Sequence, residues 1–168
     1  MEIQIRAFQD KQKLYAHAAA ELRRISADRE DFISLLSNAS ALLHMLVKEI
    51  NWVGFYLMKG GRLVLGPFQG KPAVTRIGMG EGVCGTAAAT REVQLVENVH
   101  ACENHIACDL HSRSEIVVPM LRNGELLGVL DMDSPVYSRF DEQDRAGLRA
   151  FVETLLSLCD GTDGRIDV

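Results

Sequence analysis

Two of the four cysteines and three of the five histidines fall in one stretch, His100 to Pro119, HACENHIACDLHSRSEIVVP. A loop that carries this much reactive chemistry beside an apolar strand is usually a site rather than a connector. Cys108 is the residue in it expected to act as a nucleophilic thiolate, with His100, His105 and His111 close in sequence. Cys84 is a second candidate. It follows the glycine-rich run Gly78-Met-Gly-Glu-Gly82 at the start of an expected helix, and a helix N-terminus lowers a thiol pKa. Both thiols also fit a plainer description as small buried hydrophobes. Cys159, at the end of an apolar helix, reads as inert packing.

The same loop has a rival reading. His100-x4-His105-x2-Cys108-x2-His111 offers ligand types that suit zinc, but it matches no standard structural-zinc spacing and lacks a paired CxxC. The expectation is that no metal is bound. The glycine run is not a phosphate loop either, because the lysine and the following Ser/Thr are missing.

Glu115, Asp131 and Asp133 flank apolar strand residues. They are either exposed strand ends or a cluster that holds a cation, such as a substrate ammonium, and donates a proton. The hairpin register separates the two. A two-residue turn at Asn123-Gly124 pairs Ile116 with Asp131 and sends Glu115 to the opposite face. A three-residue loop sets Glu115 opposite Asp131 on one face. Trp52 and Tyr56, four apart in an expected strand, share a face. They are core residues, or an aromatic grip for a thioether or methyl group.

These residues need a scaffold. Apolar spacing predicts a helix over residues 7–25 and another ending near Glu49, capped by Asp28 or Asp31. Trp52–Met58, Gly60-Gly61 and Leu63–Leu65 read as a hairpin. Val74–Ile77 and Val93–Val96 read as short strands, and Val83–Thr90 as a short helix. Glu115–Leu121 and Leu126–Met132 form a second hairpin, and Asp141 caps a last helix, Glu142–Cys159. The tail from residue 160 frays. The order argues for an α+β fold with a central antiparallel sheet. The N- and C-terminal helices pack on one face, and a loop-built pocket lies on the other.

The bulk properties narrow the function classes. A chain of 168 residues supports a single domain, residues 1–168. Its 47% hydrophobic and 24% charged residues are ordinary for a globular protein. A net charge of −5 leaves no electrostatic footprint for nucleic acid. No apolar run reaches membrane-spanning length, and MEIQIRAFQDKQ has no signal-peptide core. The expected location is the cytoplasm, where cysteines serve as thiols, ligands or redox centres rather than structural disulfides.

Taken together, six blocks resemble the free methionine-(R)-sulfoxide reductases, a family of stand-alone GAF-domain enzymes. The blocks are Asn51-Trp-Val-Gly-Phe-Tyr56, Leu65-Gly-Pro-Phe-Gln-Gly70, Gly80-Glu-Gly-Val-Cys-Gly85, His105-Ile-Ala-Cys-Asp109, Ser114-Glu-Ile-Val-Val-Pro119 and Gly128-Val-Leu-Asp-Met-Asp-Ser-Pro135. The resemblance spans about Leu14 to Leu158. It implies a GAF fold with the pocket over the sheet and Cys108 as the catalytic cysteine. Trp52 and Tyr56 then line the methyl-sulfoxide end, and Glu115, Asp131 and Asp133 hold the ammonium and help protonate the sulfoxide oxygen.

The implied chemistry is reduction of free L-methionine (R)-S-oxide through a Cys108 sulfenic acid. Cys84 resolves that acid to a disulfide, and thioredoxin, an external reductant, recycles it. No bound metal or organic cofactor is required. A homodimer is compatible with the resemblance. Two departures bear on recycling. Val74 stands where the family usually has a third cysteine, and Cys102 and Asn104 replace an expected aromatic residue and glycine. The alternative from another class is a small-molecule-binding GAF sensor without catalysis.

Overall fold

The computed structural model describes residue 8 and residues 10–26, 31–101 and 111–159. The expectations for Cys102, His105, Cys108, Asp28 and the tail from residue 160 lie outside the described residues.

Helix α1 (Lys11–Ile25) starts where the Asp10 side chain accepts from the Lys13 amide. Helix α2 (Phe32–Leu46) starts at Asp31, which accepts from the Ser34 amide at 2.8 Å. Then come β1 (Trp52–Lys59), β2 (Arg62–Gln69), β3 (Arg76–Ile77), α3 (Gly82–Thr90) and β4 (Gln94–Val96). The chain closes with β5 (Ser114–Arg122), β6 (Glu125–Ser134) and α4 (Glu142–Leu158). The Asp141 carboxylate caps α4 in a reciprocal capping box with Asp144.

The six strands form one sheet in the order β3-β2-β1-β6-β5-β4, and every neighbouring pair is antiparallel. Strand alternation sends Val53, Phe55, Leu57, Ile116, Val118, Leu130 and Met132 to one face. There they pack with Leu22, Leu36, Leu43, Phe151 and Leu155 of the helices α1, α2 and α4. Tyr15 ties α1 to α4 by donating to the buried Asp144 carboxylate at 2.8 Å.

The opposite face is set by a connection. Because β3 and β4 are the two edges of the sheet, the chain between them has to cross its whole width. Helix α3 makes that crossing, and Val83, Cys84, Ala87 and Ala88 pack on Trp52, Tyr56, Val117 and Val129. A helix built largely of Gly, Ala and Thr can lie close to the strands because its side chains are small.

The β5–β6 hairpin corrects both register alternatives. Its turn is the two-residue Asn123-Gly124, with φ of 50° and 79°, the left-handed pair such a turn demands. Leu121 pairs with Leu126, but Met120 pairs with Gly128. Leu127 is therefore an extra residue in β6, a β-bulge that moves the remaining ladder by one. Glu115 ends opposite Asp133, and Val117 opposite Asp131. All three acids consequently share the α3 face. Gly128 sits at the bulge with φ 157°, where a Cβ would run into the Tyr56 carbonyl oxygen of the neighbouring strand.

Candidate functional site

The paired registers lay out the site as two rows across the sheet. One row is Trp52, Asp133, Glu115 and Val96; the next is Gly54, Asp131, Val117 and Gln94. Residues of α3 close over the acids in the middle of these rows. Ile77, Glu81, Gly82, Val83, Cys84, Glu115, Asp131 and Asp133 line a cavity of about 10 Å³, roughly room for one water. Larger hollows lie elsewhere, one between α4 and the β4–β5 edge and one beside Phe8 and Lys48, away from these acids.

The acids are buried, not exposed strand ends: Glu115, Asp131 and Asp133 are 5%, 3% and 4% accessible. Burial pushes the Glu115 carboxyl well above the usual carboxylate range, and the nearby Asp133 charge adds to this. Asp131 is raised in the same way, first by burial and then by Glu115. Two buried like charges cannot both ionise cheaply, so the pair favours a shared proton. Oδ1 of Asp131 is buried with no hydrogen-bond partner among the described residues.

Cys84 occupies the first turn of α3, as expected, but its electrostatics are the reverse of the expectation. Its thiol is 4% accessible, and burial pushes it well above its ordinary value, reinforced by the charges of Asp131 and Glu115. The helix end cannot offset desolvation and two facing carboxylates. The Cys84 Sγ and one carboxylate oxygen each of Glu115 and Asp131 all lie within 4.8 Å of one another. Cys159 is half-buried at the end of α4, with its thiol 3.6 Å from the Leu155 carbonyl oxygen, in keeping with a packing role.

The aromatic side of the site is a stack. Trp52 and Tyr56 do share a face, with ring centroids 6.1 Å apart and planes inclined by 25°. Phe68 of β2 extends the stack, 5.4 Å from Trp52. Sequence reasoning did not single it out, because only the β1–β2 register, which sets Gly54 opposite Phe68, puts that ring beside Trp52. Gly54 makes room for the stack: a Cβ there would lie 2.7 Å from the Trp52 ring. The polar tips are fixed by the following loop, with the Trp52 indole donating to the Lys71 carbonyl at 3.1 Å. The Tyr56 hydroxyl donates to the Val74 carbonyl at 2.9 Å. Val74, where the family's third cysteine would stand, is 36% exposed.

Glu81 is a second residue missed from sequence. Its carboxylate accepts from the Gly78 amide at 2.8 Å and closes the glycine loop beside the cavity. Of the candidate zinc set, only His100 and His111 are described. The His100 ring packs edge-on to Tyr137, and His111 Nδ1 lies 3.4 Å from Lys71 Nζ.

The chain and its fold match known proteins closely. The GAF domain family pattern matches residues 10–156. A free methionine-R-sulfoxide reductase of Escherichia coli K12 is 46% identical over 154 residues, 92% of this chain and 93% of that protein. The crystal structure of a free methionine-R-sulfoxide reductase from Neisseria meningitidis, in complex with its substrate, is 40% identical with a TM-score of 0.86. That match covers 93% of this chain and 95% of the other. A substrate complex of the Staphylococcus aureus fRMsr is 43% identical with a TM-score of 0.81, covering 94% and 99% of the two chains. A six-stranded antiparallel sheet with three helices on one face and α3 over an acid-and-aromatic site on the other, together with this identity along nearly the whole chain, places the protein in the free methionine-(R)-sulfoxide reductase family of GAF domains.

Proposed function

We propose that this chain is an oxidoreductase acting on sulfur that reduces free L-methionine (R)-S-oxide to methionine. The observation that carries the reading is the pairing of a buried three-carboxylate cluster with a three-ring aromatic stack on one sheet face. The acids suit a substrate ammonium, and the rings suit a methyl sulfoxide group.

Cys108 acts as the nucleophile; this role comes from the resemblance. Its thiolate attacks the sulfoxide sulfur while the proton held by Glu115 and Asp131 passes to the oxygen. Methionine leaves, the sulfur–oxygen bond is broken, and Cys108 carries the oxygen as a sulfenic acid. The Cys84 thiol then attacks Cys108 sulfur, its proton going by way of Asp131 to the departing hydroxide, which leaves as water. Two cysteines have lost two electrons to the sulfoxide. The disulfide is reduced by an external dithiol, with thioredoxin as the assigned partner. Up to the disulfide, the steps draw on the protein's own groups and call for no bound cofactor. We read the chain as one domain acting in the cytoplasm, where free thiols persist. Among the described residues no helix is long and apolar enough to cross a membrane.

The test is thioredoxin-coupled NADPH oxidation with each methionine sulfoxide epimer, free and within a peptide. Turnover is expected with the free R epimer alone. Equal reduction of an internal peptide sulfoxide overturns the role of the acid cluster, since that substrate has no free ammonium. A sensor module would keep its thiols titratable after exposure to free methionine sulfoxide, whereas the enzyme without reductant loses two.

A further inference from the structure

We propose that Cys84, Glu115 and Asp131 form a binding site for a borderline divalent metal ion, best suited to Zn²⁺. One thiol sulfur and two carboxylate oxygens lie within 4.8 Å of one another, all buried. A tetrahedral zinc with bonds of about 2.0–2.3 Å spaces its ligand atoms by roughly 3.3–3.8 Å. Side-chain shifts of about an ångström therefore close the site, within the reach of ordinary rotamer adjustment.

A second observation points the same way. Asp131 is 3% accessible, and its Oδ1 has no hydrogen-bond partner among the described residues although it lines the cavity. A buried oxygen without a donor is costly to maintain, and a cation satisfies it. The sulfur decides which cation. Magnesium and calcium favour all-oxygen shells, whereas a thiolate with carboxylates suits zinc. Three protein ligands leave a fourth position for water or for Asp133, which lines the same cavity. On binding, the Cys84 proton and the proton shared by the acids pass to buffer.

This site differs from the histidine-rich loop at residues 100–111, and it overlaps the acids assigned to the substrate ammonium. Zinc and methionine sulfoxide thus exclude one another, and a metal on Cys84 withholds the resolving thiol. The competition rests on the proposed function; the binding does not.

The experiment titrates the reduced full-length protein with Zn²⁺ alone and with Co²⁺ alone as a spectroscopic probe. One Zn²⁺ per chain is expected, and Co²⁺ should give a near-ultraviolet thiolate-to-metal charge-transfer band. Cys84→Ser should remove the band and weaken zinc at least tenfold. Asp131→Asn, or Glu115→Gln if that variant does not fold, should weaken zinc at least tenfold. Cys108→Ser should leave band and affinity in place. A band that survives Cys84→Ser but disappears in Cys108→Ser puts the metal on the histidine-rich loop and overturns the proposal, as does the absence of stoichiometric binding. Zinc that binds as expected yet is not displaced by free methionine sulfoxide supports the metal site and counts against the assigned substrate cluster.

Discussion

The Cys84 thiol and the Asp131 carboxyl share one buried wall, with sulfur and oxygen no more than 4.8 Å apart. The thiol belongs to the first turn of α3 and the acid to the middle of β6. Their meeting makes Cys84 a guarded thiol. Burial raises its pKa first, and the Asp131 charge raises it further. A buried thiol held protonated in this way is a poor nucleophile and resists adventitious oxidation.

Asp131→Asn should therefore lower the Cys84 pKa, since it removes a negative charge next to the thiolate while leaving burial in place. The measurement is the pH dependence of Cys84 alkylation in a Cys102→Ser, Cys108→Ser, Cys159→Ser background. The inflection should move to lower pH. An unchanged or upward inflection means that Asp131 does not act on the thiol.

The same cluster sets a pH dependence of stability. Glu115 and Asp131 have folded pKa values raised above their unfolded ones, so the folded state binds these protons more tightly. Their contribution is full below the ordinary carboxylate value and is lost as pH rises through the raised values. Asp31 and Asp141 are lowered, by hydrogen bonds from Ser34 and Lys11 respectively, and contribute in the opposite sense, losing stability in acid. Tm should peak at mildly acidic pH and decline toward alkaline pH. Glu115→Gln with Asp131→Asn should flatten the alkaline side; a decline of the same slope in that double variant would place its origin elsewhere.

Cys108→Ser should reduce turnover to background, because a hydroxyl does not replace a thiolate as nucleophile at neutral pH. Cys84→Ser should instead release about one methionine per chain and stall with thioredoxin, its sulfenic acid unresolved. A small dithiol should restart it. Undiminished thioredoxin-dependent turnover, or a dominant Cys102–Cys108 bridge in peptide maps of the oxidised protein, would assign resolution to another thiol.

Gly128→Ala tests the bulge that brings the acids to one face. A Cβ there meets the Tyr56 carbonyl oxygen and comes within 3.0 Å of the Leu57 Cα. Forcing the β1–β6 pair apart should cost about 1–3 kcal/mol. Urea unfolding should show a lower midpoint with an unchanged slope. A midpoint equal to the parent's would mean that the strands tolerate the methyl group.

The fold was largely legible because it follows from local periodicity. The alternating apolar residues from Trp52 onward, the Gly60-Gly61 and Asn123-Gly124 turns and the capping aspartates Asp31 and Asp141 each act over a few residues. The element types therefore stood in the sequence, as did the shared face of Trp52 and Tyr56. Strand lengths and the register of the last hairpin did not. Turn chemistry alone would place Glu115 and Asp131 on opposite faces, and only the extra residue Leu127, accommodated at Gly128 against β1, moves the ladder by one. Likewise the α3 helix start marked Cys84 as an activated thiol, since a helix end is a local signal. Its actual surroundings are carboxylates from residue 115 and residue 131, brought over it because the chain between two edge strands must cross the sheet. Pairing over that sequence distance depends on long-range strand contacts, and the charge a buried group experiences is set by those contacts rather than by its neighbours in sequence.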